Sequence, residues 1–131
     1  MPTRPKVLLL GGYPEAHFLA EALYPCAFVT RVERIPEALA LAAGGDYDVL
    51  FCECELAGGN WRIVLEKLQQ RRQEIPVVVF CHSGGESEWA DVLYAGAFDY
   101  LAPPYNRSQI LALLEQAVSS RCKRKELRLS A

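Results

Sequence analysis

The stretch YDVLFCECELAGG, residues 47–59, places an acidic side chain, Glu53, at the point where an apolar run ends. The run is short and is followed within seven residues by two glycines, a pattern that indicates a buried strand leading into a turn. An acidic group in that place is either a functional carboxylate or a carboxylate whose partner groups are missing from the chain. The segments on either side of this stretch decide between these interpretations.

Four more short apolar runs accompany this one at regular intervals. The five runs cover residues 6–10, 27–32, 47–52, 76–81 and 99–102. Runs such as VLLL and VVVF are continuously apolar, which is typical of central parallel strands covered by helices on both faces. The segments between the runs carry apolar residues at helical spacing. This β-α order, repeated five times, predicts a three-layer, doubly wound α/β fold with a five-stranded parallel sheet.

Length and composition agree with one globular domain. The chain has 131 residues, of which 51% are hydrophobic and 23% charged. No uninterrupted apolar run reaches the roughly 18 residues of a membrane span, and no signal-peptide pattern opens the chain, so we expect a cytoplasmic protein without a membrane contact. Five cysteines, an odd number, are scattered through apolar segments. This pattern favours buried free thiols over a disulfide framework.

The basic residues are distributed unevenly. Net charge is -2, yet five of the 14 basic residues lie within residues 121–131. We therefore expect a folded domain over residues 1–120 and a basic helix extension or linker over 121–131. Such a tail can contact nucleic acid or an anionic membrane, but it lacks interleaved aromatic residues, so we expect no direct nucleic-acid binding. A linker to an output domain of a longer protein is an equally open interpretation.

Several motifs in register resemble the receiver domain of bacterial two-component response regulators. They are KVLLL before a glycine turn, YDVLFCE followed by LAGGN, IPVVVF, and GAFDYLAPPY at residues 96–105. The resemblance runs from residue 6 to about residue 120. It implies the flavodoxin-like, receiver-type (βα)5 fold and phosphoryl transfer to an aspartate that ends the third strand. In that family an acidic pair and the aspartate hold Mg²⁺, and a hydroxyl and a lysine complete the site.

At each of these positions this chain carries a different group. The acidic pair falls on Gly11 and Gly12, which have no side-chain oxygen for a hard cation. The aspartate falls on Glu53, the hydroxyl on Cys81 and the lysine on Pro103, which has neither charge nor backbone N–H. Phosphoryl transfer depends on positioning and on neutralisation of charge. We therefore predict a degenerate phospho-acceptor pocket with no metal and no cofactor, in a non-enzymatic signalling module that binds a protein partner.

The same resemblance makes further predictions for the scaffold. Tyr100 matches the aromatic that moves as receivers switch, and Pro104 matches the proline after a cis peptide, so we expect a cis Pro103-Pro104 bond. The face formed by the fourth helix, fifth strand and fifth helix commonly makes homodimers or partner contacts in receivers. The candidate interface residues are Trp89, Tyr94, Tyr105 and Arg107.

Three alternatives stay open. The first is that Glu53 acts as a phosphomimetic that holds the receiver permanently active. The second is that the fold serves a small-ligand sensor, although no phosphate-binding motif supports one. The third alternative is chemistry at the strand ends, either a metal site built from Cys52, Glu53, Cys54, Glu55, Cys81 and His82 or a nucleophilic Cys81 with His82 as its general base.

Overall fold

The computed structural model describes residues 4–12, 14–81 and 86–130, with side chains described up to Arg121 except at 86 and 87. Its main sheet has five parallel strands in the order β2-β1-β3-β6-β7. The strands are β1 (Lys6–Leu10), β2 (Phe28–Val32), β3 (Val49–Glu53), β6 (Val77–Phe80) and β7 (Asp99–Leu101). The fold class is thus the flavodoxin-like α/β architecture that the sequence predicts.

The central strands are buried on both faces because successive side chains point to opposite sides of the sheet. In β1, Val7 and Leu9 belong to one core cluster, whereas Leu8 and Leu10 belong to the other. The same alternation holds along β3 and β6. This is why these segments read as continuous apolar runs.

Five helices form the two outer layers. Their bounds are α1 (Glu15–Leu23), α2 (Ile35–Ala43), α3 (Trp61–Gln70), α4 (Glu86–Tyr94) and α5 (Arg107–Ser130). The buried residues of α1 and α5 lie in one core cluster, and those of α2, α3 and α4 lie in the other. In the described part of the chain, no helix combines the length and apolar character needed to cross a membrane.

A short antiparallel pair, β4 (Glu55–Leu56) and β5 (Gly59–Asn60), lies between β3 and α3. Gly58 turns this hairpin with a φ of 83°, in the left-handed region that favours glycine. Asn60 then caps α3, because its side chain accepts hydrogen bonds from the N–H groups of Arg62 and Ile63. The sequence predicts the turn here but not the two short strands.

Helix α5 is fastened to the body of the domain beyond residue 120. The guanidinium of Arg121 donates to the carbonyls of Tyr47 and Gly45, the latter at 3.1 Å, and pairs with Asp48 at 3.3 Å. The backbone helix continues to Ser130. The first residue of the predicted tail therefore packs against the loop that leads into β3.

Candidate functional site

The carboxyl ends of the strands bring the predicted pocket residues to one edge of the sheet. Gly11 follows β1, Glu53 ends β3, and Cys81 follows β6, three strands that are adjacent in the order β1-β3-β6. Pro103 follows β7, the next strand, after one intervening residue. Ligand sites in open α/β sheets lie at this edge. The five residues that the sequence singles out thus surround one location.

The Glu53 side chain lies directly over the two glycines. The N–H of Gly12 donates to Glu53 Oε1 at 3.0 Å. A Cβ placed on Gly11 would lie 2.8 Å from the same oxygen and 3.0 Å from both Glu53 Cβ and Phe80 Cζ. Since real Cβ atoms essentially never come within 3.0 Å of another atom, a side chain at position 11 would require the glutamate carboxylate to move. Glu53 is partly buried and held by the backbone.

Cys54 and Cys81 are joined by a disulfide bond across this pocket, with their Cα atoms 5.1 Å apart. The prediction of free thiols is therefore wrong for these two residues. The reason is positional: each cysteine follows directly after one of two adjacent strands, so their side chains meet at the sheet edge. The prediction holds for Cys52, which is free and buried, whereas Cys26 is free but exposed.

The third cysteine of this region, Cys52, faces the core. Its thiol approaches the carbonyl oxygen of Glu53 at 3.4 Å. Burial, followed by the nearby charge of Glu53, raises the pKa of the Cys52 thiol far above its ordinary value. Cys52 is therefore a protonated core residue, and it does not take part in the pocket.

Tyr105 connects the pocket to the start of α5. Its hydroxyl donates to the carbonyl of Cys81, and its ring stacks on Phe18 with centroids 5.9 Å apart. Burial raises the pKa of Tyr105, and the negative charges of Glu15 and Glu53 raise it further. The phenol is thus held in its protonated, hydrogen-bond-donating form.

Tyr100, the predicted switch aromatic, is buried in the core against β6. Its hydroxyl donates to Glu88 Oε2 of α4 at 3.3 Å. Burial is the main cause that raises its pKa, and the charge and hydrogen bond of Glu88 add to it. Tyr100 therefore ties β7 to α4 in this structure. The Pro103-Pro104 peptide bond that follows is cis.

Among the described residues, Cys54, Cys81 and Glu88 form a group whose possible ligand atoms all lie within 4.8 Å of one another. Two thiolates and a carboxylate are suitable zinc ligands. The two sulphurs are bonded to each other here, so they are not thiolates. Of the other residues in the metal hypothesis, Cys52 is in the core and Glu55 is exposed, while His82 lies outside the described residues.

The candidate interface residues differ in exposure. Trp89 is 50% and Tyr94 96% exposed, both on α4. Arg107 is exposed at the first turn of α5, whereas Tyr105 is half-buried by the contacts described above. The outer surface of α4 thus presents two aromatic side chains to solvent.

This arrangement of strands and pocket has counterparts among known proteins. A family model described as the response regulator receiver domain matches residues 17–115. This chain belongs to that family. The receiver domain is 30% identical over 90 residues to the DNA-binding transcriptional regulator NtrC of Salmonella typhimurium, an alignment that covers 69% of this chain and 19% of NtrC. Receiver domains are signalling modules of two-component response regulators.

Two further relatives agree with this assignment. The response regulator protein PilR of Pseudomonas aeruginosa is 28% identical over 121 residues, which are 91% of this chain and 27% of PilR. The chain thus spans between about a fifth and a quarter of the length of these curated relatives. A CheY-like receiver domain from Methanospirillum hungatei superposes with a TM-score of 0.79 at 16% identity, covering 93% of this chain and 99% of that one. That likeness shows the shared fold.

Sequence reasoning missed two features of this receiver domain. The Cys54-Cys81 bond was detectable only as two cysteines that directly follow predicted strands, because strand order is needed to make them neighbours. The second is the contact from Tyr105 to the carbonyl of Cys81. A carbonyl acceptor has no sequence signature, so no pattern pointed to it.

Proposed function

We propose that this receiver domain is a protein-binding regulatory module that works without the aspartyl-phosphate cycle. The observation that carries the proposal is the position of Glu53. Its carboxylate lies on the Gly12 N–H and fills the space beside Gly11, where a metal-binding acidic side chain would have to project. A hard cation needs several oxygen ligands, and glycines supply none from a side chain.

The other two groups of the pocket support the same conclusion. Cys81 is bonded to Cys54, so its sulphur has no proton to donate to a phosphoryl oxygen. Pro103 carries no positive charge with which to neutralise one. Without metal ligands at positions 11 and 12, a hydroxyl at position 81 and a cation at position 103, the pocket has little means to stabilise the transition state of phosphoryl transfer.

Glu53 also fits poorly as a phosphomimetic. Its carboxylate is engaged by a backbone N–H on the β1 side of the pocket. On the opposite side, positions 81 and 103 carry a disulfide sulphur and a proline, which supply neither the hydroxyl nor the cation that such a switch would use. The position of the carboxylate at the Gly12 N–H thus argues against the phosphomimetic alternative.

The test of this proposal is incubation with acetyl phosphate and Mg²⁺, followed by intact-mass measurement. The expected result is no added phosphoryl group, beside a receiver domain with the complete site as the positive control. Mg²⁺-dependent labelling that disappears in Glu53→Gln would overturn the proposal. The same experiment without Mg²⁺ distinguishes site labelling from adventitious acylation.

The contact surface that we assign to this module is the exposed face of α4, with β7 and the start of α5. Trp89 and Tyr94 expose large aromatic surfaces there, the residue types enriched at protein interfaces. Sedimentation equilibrium tests homodimerisation through this face: Tyr94→Ser should weaken self-association at least about tenfold. Phe28→Ser is the control, because Phe28 is also an exposed aromatic, 57% accessible, but lies on β2 at the opposite edge of the sheet. A larger loss in the control would place the contact at the β2 edge.

A further inference from the structure

We propose that Cys54 and Cys81 form a reversible thiol-disulfide modification site, whose reactant is a low-molecular-weight disulfide such as oxidised glutathione. The two sulphurs are bonded, and the Cα separation of 5.1 Å lies within the range of about 4.4–6.8 Å for native disulfides. The pair therefore needs no rearrangement of the sheet to close.

Among the cysteines whose side chains the structure describes, Cys54 and Cys81 are the two that meet at the sheet edge. Cys52, two residues before Cys54, points into the core and keeps its proton. Cys26 lies after α1, away from the carboxyl edge of the sheet. Both cysteines of the bond are almost fully enclosed, with 5% of Cys54 and 2% of Cys81 exposed. Because the two sulphurs are enclosed, formation of the Cys54-Cys81 bond is favoured over a lasting mixed disulfide between either cysteine and a small thiol.

The bond lies beside the contacts that join α4 and the segment before α5 to the sheet. The carbonyl of Cys81 accepts from Tyr105, and its N–H donates to Leu101 at 3.0 Å. Glu88, whose carboxylate lies within 4.8 Å of both sulphurs, accepts from Tyr100. Reduction turns one bond into two separate thiols in the space between β3, β6 and Glu88. Their accommodation therefore changes the contacts of α4 and of the segment before α5.

The chemistry balances as a two-electron exchange. One cysteine thiolate attacks a sulphur of the small disulfide, which forms a mixed disulfide and releases one small thiolate. The second cysteine thiolate then attacks the protein sulphur of that mixed disulfide and releases the other small thiolate. The protein gives up two electrons, and its two thiol protons end on the released thiols. Excess small thiol reverses both steps.

The test is a redox titration of the whole chain in glutathione buffers, with acid quenching, alkylation and tryptic mapping. Cleavage after Arg34, Arg62, Arg72 and Arg107 puts Cys52 and Cys54 in peptide 35–62 and Cys81 in peptide 73–107. We expect a link between these peptides whose fraction rises from a tenth to nine tenths over a roughly 80-fold change in the ratio of squared reduced to oxidised glutathione, as one two-electron transition requires. Cys52→Ala should keep the link, and Cys54→Ala should abolish it.

Hydrogen exchange supplies the conformational readout. In the reduced protein, exchange should rise in residues 86–94 and 99–107 and stay unchanged in β1 and β2. A link that never forms, or one reduced only after denaturation, would overturn the proposal. So would a reduced protein that retains zinc from equimolar zinc sulphate and resists oxidation, since the group would then be a metal site. The titration uses the unaltered chain, so it does not depend on the folding of a variant. Its outcome is independent of phosphoryl labelling. Only an effect of the disulfide on partner binding rests on the proposed function.

Discussion

Substitution of Gly11 and Gly12 by alanine should have opposite effects on stability, although the two residues are neighbours. A Cβ on Gly11 would lie 2.8–3.0 Å from Glu53 and Phe80, whereas a Cβ on Gly12 would meet nothing within 4 Å. Overpacking of a buried site typically costs about 1–3 kcal/mol. Replacement of an unstrained glycine by alanine typically gains about 0.4–1 kcal/mol, because the unfolded chain loses freedom. We therefore expect Gly11→Ala to be less stable than Gly12→Ala by about 1.5–4 kcal/mol.

Urea denaturation followed by circular dichroism measures this difference directly, with the slope of the transition as a check that the unfolded state is unchanged. In thermal melts, 1 kcal/mol corresponds to about 3–5 °C for a domain of this size. A double-mutant cycle then identifies the contact. Glu53→Ala removes the closest atom, so the penalty of Gly11→Ala should fall by about 1 kcal/mol in that background. Equal stability of the two alanine variants, within about 0.5 kcal/mol, would refute the placement of Glu53 over Gly11.

Three further predictions concern other parts of the domain. Asn60→Ala removes the side-chain acceptor for two N–H groups of α3, so it should lower the free energy of unfolding, measured by urea denaturation, by about 1 kcal/mol. Asn60→Asp, which keeps an acceptor oxygen, should retain most of that free energy. Arg121→Gln should cost about 1–2 kcal/mol in the same assay because it removes a charged donor to two carbonyls and Asp48, whereas Arg107→Gln at an exposed position should change little. The raised pKa of Tyr105 means that the folded state binds the phenol proton more tightly than the unfolded state, so this contribution is complete below about pH 10 and is lost as pH rises above that value. Tyr105→Phe should therefore flatten the alkaline fall of stability; an unchanged slope would show that the phenol is not buried as described.

The strands were predictable because strands buried on both faces give continuous apolar runs in the sequence. The predicted run 6–10 coincides with β1, and the predicted run 76–81 contains β6. The run 47–52 is shifted, since β3 begins at Val49 and ends at Glu53. Its first residues belong to a loop instead, where the Tyr47 hydroxyl donates to Thr30 and the Asp48 N–H donates to the carbonyl of Lys6. Periodicity does not distinguish such a loop from the start of a strand.

The grouping of the candidate pocket residues at one sheet edge was predictable from the sequence, whereas their contacts were not. Residues that end adjacent parallel strands must meet at one edge, so the grouping of Gly11, Glu53 and Cys81 follows from topology alone. The bond of Cys81 to Cys54 depends on which residue after each strand points into the pocket. That direction is set by the local backbone after the strand, which leaves no periodic signal. The hydrogen bond from Gly12 likewise depends on the side-chain length of Glu53.

The anchoring of α5 by Arg121 has a mechanical consequence. The helix is held at two levels, by its buried residues Ile110, Leu113, Leu114 and Ala117 in the core and by Arg121 on the loop before β3. The nine residues that follow Arg121, as far as Ser130, extend the same helix by about 14 Å. Their direction is therefore set by the part of α5 that packs on the sheet. With Arg121 as the fulcrum, a tilt of α5 near Tyr105 would displace the far end of the helix.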